Sequence, residues 1–235
     1  MLLLNFLLGC CGASFGAVVT SRPLVQESFI HGRSHCDFCQ QTLRWYHEIP
    51  ILSYLWLRGK CSFCQHPIAP GLFLVELAGG FWGLECTWQQ SYPPYLLLLL
   101  GLSLLSCAWS DYLALCIDPR VLFPSIVWTL IQAFPTPTAW LLWSLLALVL
   151  LGFYYFFKPR LGFGDIEILL VIALALGLSP TLYVTVLATS LALLYFGVCK
   201  LKRQPLQAVP FVPFIMAGLV LYVGGLIIFA SNTGL

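Results

Sequence analysis

Two aspartates and four cysteines are the residues of this chain whose types and spacing can do chemistry. Asp111 closes the apolar run 95–110, and Asp165 closes Gly162-Phe163-Gly164-Asp165 just before another apolar run. An ionisable residue at such a segment is a functional candidate by default. Two carboxylates held at one depth and on one face can share a single proton, because repulsion and desolvation both oppose a second charge. One then takes a proton from water while the other, protonated, polarises an amide carbonyl. The glycines of the second motif let the backbone come close to a substrate strand. The competing reading makes both aspartates interfacial helix caps, and Asp165 before Ile166 fits an N-cap.

The cysteines form Cys36-x-x-Cys39 and Cys61-x-x-Cys64, separated by 21 residues. Two such knuckles can set four thiolates tetrahedrally around Zn²⁺. The metal would stabilise a loop too small to build its own core. His35, His47 and His66 are near enough to replace a thiolate, but four cysteines suffice without them. The competing reading is two disulfides or four free thiols, and a reduced compartment disfavours the disulfides. Cys10, Cys11, Cys86, Cys107, Cys116 and Cys199 fall in or near apolar segments and read as small packing residues.

The elements that must position these groups are membrane helices. Of 235 residues, 60% are apolar and 9% charged, where soluble domains carry roughly 25% charge. So much apolar surface excludes a soluble globular enzyme, a disordered chain and a secreted disulfide scaffold. A net charge of +2 gives nucleic-acid binding no support. The fold class is an all-α polytopic membrane protein of about eight transmembrane helices with one zinc-binding loop. The spans predicted are 2–21, 72–89, 95–110, 121–134, 139–157, 166–178, 181–199 and 209–230, with 121–134 and 166–178 short enough to be half-buried or re-entrant. The first segment has the length of a signal peptide, yet no basic residue precedes its apolar run and no A-x-A site follows, so it reads as a retained span. The basic residues Arg22, Arg33, Arg44, Arg58, Lys60, Arg120, Lys158, Arg160, Lys200, Lys202 and Arg203 all fall in loops 22–71, 111–120, 158–165 and 200–208. Those loops are then cytoplasmic and the N-terminus outside. The chain shows no tandem repeat and no low-complexity tail.

With these residues in place, the chain resembles the type IV prepilin leader peptidases, membrane aspartic proteases with a GxGD box. The resemblance covers nearly the whole chain. It rests on Gly12-Ala13-Ser14-Phe15 with Val18 and Arg22-Pro23; on Arg33-Ser34-x-Cys36-x-x-Cys39, Leu43-x-Trp45, Ile49-Pro50-Ile51-Leu52-Ser53-Tyr54 and Leu57-Arg58-Gly59-Lys60-Cys61 with Cys64; on Glu76; on Gly162-Phe163-Gly164-Asp165; and on Val209-Pro210-Phe211-Val212-Pro213-Phe214. It implies an enzyme of the bacterial cytoplasmic membrane, multi-pass, with its active site facing the cytoplasm. The substrates implied are prepilins or pseudopilins, cut between a Gly and a Phe-type residue after a short basic leader. Asp111 and Asp165 become the catalytic pair. Many members then methylate the new N-terminus from S-adenosylmethionine, an activity tied to the cysteine-bearing region. Residues 1–90 would then hold two spans, the Cys₄ loop and the methyltransferase part, and 91–235 a six-span protease core.

Departures from the family pattern are specific. Glu167 stands where a Lys is common, Ile117-Asp118-Pro119 where I-P-D or I-P-N is frequent, and Ala17 where the N-terminal pattern has Asn. Asp118 is a rival for the first catalytic position. Glu76 reads either as a contact to the leader or methylation site, or as a structural carboxylate at a span end. Glu85 lies toward the opposite face and has no assigned role. Two other classes remain: a small transporter with a zinc-clipped loop, disfavoured by the scarcity of polar residues in mid-span, and a non-enzymatic scaffold of a pilus or secretion system, which would leave both aspartates replaceable. A presenilin-like protease would lack the cysteine loop.

Overall fold

The computed structural model describes residues 1–28, 33–132, 136–157, 162–202 and 209–233, with side chains described through 228. Pro135, Lys158, Arg160 and Arg203 lie outside the described residues. The helices are α1 (Leu2–Ser21), α2 (Leu52–Trp56), α3 (Pro70–Trp88), α4 (Pro94–Ala114), α5 (Phe123–Gln132), α6 (Pro137–Phe157), α7 (Phe163–Leu176), α8 (Leu178–Leu201) and α9 (Val212–Thr233). All but α2 fall where the sequence predicted an apolar segment. Prolines stand in the first turns of α3 and α4, where a missing N–H costs nothing. The chain is a polytopic helical membrane protein. Residues 2–25, α4, residues 137–156 and α8 are long and apolar enough to cross a bilayer. The expectation of about eight full spans needs correcting at α5: its 10 residues rise only about 15 Å, half a bilayer core.

Side-chain pairs fix the register of the bundle. Gly9 meets Gly79, and Asn5 meets Gly83, so α1 and α3 run antiparallel with their backbones in contact. Gly71 faces Trp109, while the Trp82 indole N–H donates to the Leu97 carbonyl at 3.0 Å, so α3 and α4 are antiparallel too. α9 runs against α4, with Tyr92 and Tyr222 hydroxyls 3.3 Å apart at one end and Asp111 beside Val212 at the other. α8 pairs with α9 through Tyr183 on Tyr222 and Tyr195 on Phe214. α6 lies on the rim against α7, where the Trp143 indole donates to the Leu170 carbonyl. One end of the bundle therefore carries Asp111, Gly164, Arg120, Lys200 and the cysteine loop.

The core centres on α4, which packs on α1, α3, α5, α7 and α9. Its leucines alternate with Gly101, Ser103, Ser106, Cys107, Ala108 and Ser110, all buried or nearly so. Lipid supplies no hydrophobic force between helices, so close van der Waals contact through small residues has to hold them. Gly9 and Gly79 show the mechanism most directly: a Cβ at Gly79 would lie 2.4 Å from the Ala13 Cβ and 2.5 Å from the Gly9 carbonyl oxygen. Gly79→Leu should separate α1 from α3 and cost about 3 kcal/mol or more by overpacking. Gly152→Ala in α6, where nothing lies within 4 Å of the added carbon, should be harmless. Thermal midpoints of the two purified variants in one detergent check the contrast.

Candidate active site and metal loop

Each aspartate sits where a helix begins. The first N–H groups of a helix have no intrahelical acceptor. At the start of α9, Phe211 is the N-cap, since its carbonyl accepts from Ile215 N–H. The next residue, Val212, donates its N–H to Asp111 Oδ2 at 3.0 Å. Asp111 is one turn from the end of α4 and only 7% exposed. Its buried carboxylate thus satisfies a buried donor, and Pro213 removes the neighbouring one. The Pro-Phe-x-Pro segment noticed in the sequence acquires a physical task here: it presents a helix start to Asp111. Val212 is the positioning group that sequence reading missed, because a backbone donor leaves no residue-type signal.

Asp165 occupies the third position of α7, not the N-cap before Ile166 that one reading gave it. The N-cap is Gly162, whose backbone reaches the Asp165 carboxylate. This is the returning half of a capping box. A Cβ on Gly162 would lie 3.1 Å from Asp165 Oδ2. Gly164 packs flat on Ile117, with its added Cβ 2.5 Å from the Ile117 Cδ1. The motif's two glycines therefore serve different contacts, one to the carboxylate and one to the segment that follows α4. The second contact draws α7 onto α4 and brings the two carboxylates within electrostatic reach of each other.

Asp118 is engaged elsewhere. It caps the 3-10 turn Pro119–Leu122 by accepting Arg120 N–H at 3.0 Å, and pairs with the Arg120 guanidinium at 2.6 Å. The Arg120 side chain holds its carboxyl below the usual carboxylate range. That double commitment weakens it as a rival to Asp111. Glu167 is half-buried, and its charge, with those of Asp118 and Asp111, falls on Cys107. The charged group acting on Asp165 is Asp111.

The loop between α1 and α3 forms two knuckles of one design. Cys36-Asp-Phe-Cys39-Gln40 and Cys61-Ser-Phe-Cys64-Gln65 repeat a five-residue pattern, too short to register as a tandem repeat. In each, the residue after the second cysteine turns left-handed, at φ 58° for Gln40 and 59° for Gln65. Each glutamine N–H returns to its first cysteine's carbonyl, and an antiparallel bridge closes the turn, His35 to Thr42 and Lys60 to Pro67. The four sulfurs lie within 4.8 Å of one another, with Cys36 and Cys64 at 3.9 Å. Thiolates about 2.3 Å from a shared zinc stand about 3.8 Å apart, so the set fits a tetrahedral metal with small adjustments. Backbone N–H groups, first from Cys64 and then from Phe63, draw the Cys61 thiol down to about 7 against its burial. No histidine joins the cluster among the described residues; His66 instead stacks on Phe38 at 4.2 Å, across the two knuckles.

Glu76 anchors this loop to the bundle. It is buried in α3, accepts Ser14 Oγ–H of α1 at 2.8 Å, and accepts Ile51 N–H of the loop at 2.7 Å. Ile51 has φ 64°, a left-handed conformation costly for a β-branched residue, and the carboxylate helps hold it there. Of the two readings of Glu76, the structural one accounts for both its oxygens. Glu76→Ala should leave two buried donors unpaired and destabilise by about 3 kcal/mol; Glu76→Gln keeps one acceptor oxygen and should recover about half. Limited proteolysis of the loop and the thermal midpoint check this. Loss of activity in Glu76→Gln with both readouts unchanged would instead point to a contact with substrate.

Comparison with known proteins was made on this sequence. Residues 7–90 match the model of the bacterial peptidase A24 N-terminal domain, and residues 98–198 that of the type IV leader peptidase family. A prepilin leader peptidase/N-methyltransferase of Bacillus subtilis is 30% identical over 241 residues, covering 94% of this chain and 93% of that protein. A type 4 prepilin-like proteins leader peptide-processing enzyme of Escherichia coli O78:H11 is 30% identical over 216 residues, 83% of this chain and 77% of that one. A prepilin leader peptidase/N-methyltransferase of Myxococcus xanthus is 39% identical over 98 residues, 40% of this chain and 29% of that protein. No solved structure matches.

Proposed function

The chain belongs to the type IV leader peptidase family, and on that premise we propose that it is a membrane aspartic endopeptidase that removes the leader from type IV prepilins or pseudopilins. Asp111 and Asp165 are its catalytic pair. The observation that carries this assignment is their convergence: two carboxylates from α4 and α7, each tied to backbone donors at a helix start, at one end of the bundle. One carboxylate takes a proton from water while the other, protonated, donates to the scissile carbonyl oxygen. The proton then passes to the leaving amine as the tetrahedral centre collapses. No covalent intermediate is required. The substrate is itself an apolar helix behind a basic leader, so its scissile bond comes to the membrane edge, where water can reach it. The excess of Lys and Arg at that end favours the cytoplasmic side, with the N-terminus outside.

Cys36, Cys39, Cys61 and Cys64 hold structural Zn²⁺, which fixes the fold of the loop. N-methylation of the new N-terminus from S-adenosylmethionine is the second activity, supported by the names of the bifunctional relatives; we assign no residue to the methyl donor. The division of labour between residues 1–90 and 91–235 is supported by the segments the two family models match.

Co-expression with a prepilin carrying a basic leader and a Gly-Phe junction, followed by mass analysis of the membrane-bound product, tests the reading. Asp111→Asn and Asp165→Asn should each lower cleavage by about 10³-fold or more at unchanged membrane level, and near-normal cleavage by either would end the dyad assignment. Cys36→Ser and Cys61→Ser should lower both bound zinc and steady-state level; stoichiometric zinc in those variants would refute the metal assignment.

A further inference from the structure

The cysteine loop is tied to the bundle below the helix ends, not above them. Ile51 N–H bonds Glu76, six residues into α3, and the same carboxylate bonds Ser14, seven residues short of the end of α1. At 1.5 Å per residue, those positions lie about 9 and 10 Å inside the helix ends. Tyr54 stacks on Phe73, three residues into α3, at 4.8 Å. Two independent contacts thus hold α2 alongside the first turns of α3. Since residues 2–25 are long and apolar enough to cross a bilayer, α2 lies at interfacial depth.

The outward face of α2 has matching chemistry. Leu52, Leu55 and Trp56, at i, i+3 and i+4, share one face and are 60%, 57% and 88% exposed. Tyr54, on the other side, packs on the protein. Arg58 and Lys60 follow immediately, both exposed, and no acidic residue occurs between Ile51 and Val75. An apolar stripe with an amphipathic Trp beside basic residues is the composition of a segment that lies in the headgroup region.

We propose that the α2 segment is immersed in the headgroup–acyl boundary of the leaflet on the loop's side, with Leu52, Leu55 and Trp56 in lipid and Arg58 and Lys60 against anionic headgroups. The metal-holding loop then lies on the membrane rather than projecting from it, and its position relative to the aspartates is set by the bilayer as well as by Glu76. The inference depends on the chain crossing a membrane and not on its being a peptidase.

The test uses the unsubstituted full chain in vesicles of phosphatidylcholine with phosphatidylglycerol, one lipid carrying a photoactivated diazirine near the glycerol end of its acyl chain. Mass mapping should find adducts on the peptide bearing Leu52–Trp56 in yield comparable to the exposed residues of α6, such as Leu145 and Leu148. Omission of phosphatidylglycerol should lower the α2 yield and leave α6 unchanged. Labelling of α6 without α2 overturns the proposal; equal α2 yields with and without phosphatidylglycerol overturn the part given to Arg58 and Lys60. A second measurement takes the fluorescence difference between the chain and Trp56→Phe. Brominated lipid should quench that signal more than aqueous acrylamide does, and the reverse order overturns the proposal.

Discussion

The hydrogen bond from Val212 N–H to Asp111 is the contact on which the rest of this bundle's site depends. A carboxylate buried among apolar helices is tolerable only where donors face it. The first turn of a helix is a ready source, because its N–H groups have no other acceptor. Here the same bond answers two needs: α9 gains a cap and Asp111 gains a fixed orientation. Asp165 solves the same problem within its own helix, folding back to Gly162. Both acids are thereby held by backbone, which has fewer ways to drift than a side chain.

That arrangement requires the helices to come close, and lipid gives them no hydrophobic reason to do so. Small residues supply the reason. Gly9 against Gly79 lets α1 and α3 touch backbone to backbone, and Gly164 against Ile117 draws α7 down onto the chain leaving α4. Glu76 extends the same logic outward, joining α1, α3 and the loop through one carboxylate with two acceptor oxygens in use. The loop's own order comes from elsewhere: a duplicated knuckle, a ring stack between Phe38 and His66, and four sulfurs at metal-binding spacing.

Much of this was legible in the residue types. Mean hydropathy of +0.92 and the clustering of every Lys and Arg into four loops predicted a polytopic helical membrane protein, and eight apolar segments fell on eight helices. The cysteine spacing predicted a cluster because four thiols in two short knuckles have few other ways to converge. Lengths were less readable. The segment 121–134 yields a helix of 10 residues, since apolar composition sets where a helix is comfortable and not where its hydrogen bonding stops. Asp165 was one reading's N-cap and is the third residue of its helix, since the helix begins at Phe163.

The sequence by itself determined which groups are available: two aspartates beside apolar runs, four paired cysteines, glycines at the places where helices cross. Only the tertiary structure decided what each group does. It separated Asp111, which meets a helix start 101 residues away, from Asp118, which is taken up by Arg120 two residues on. It also gave Glu76 its place between Ser14 and Ile51. The physical reason is that a carboxylate's role is set by the donors and charges around it, and in this fold the decisive donors are backbone N–H groups. Every residue but proline carries one, so nothing in the residue types marks which of them will be left unpaired and aimed at an acid.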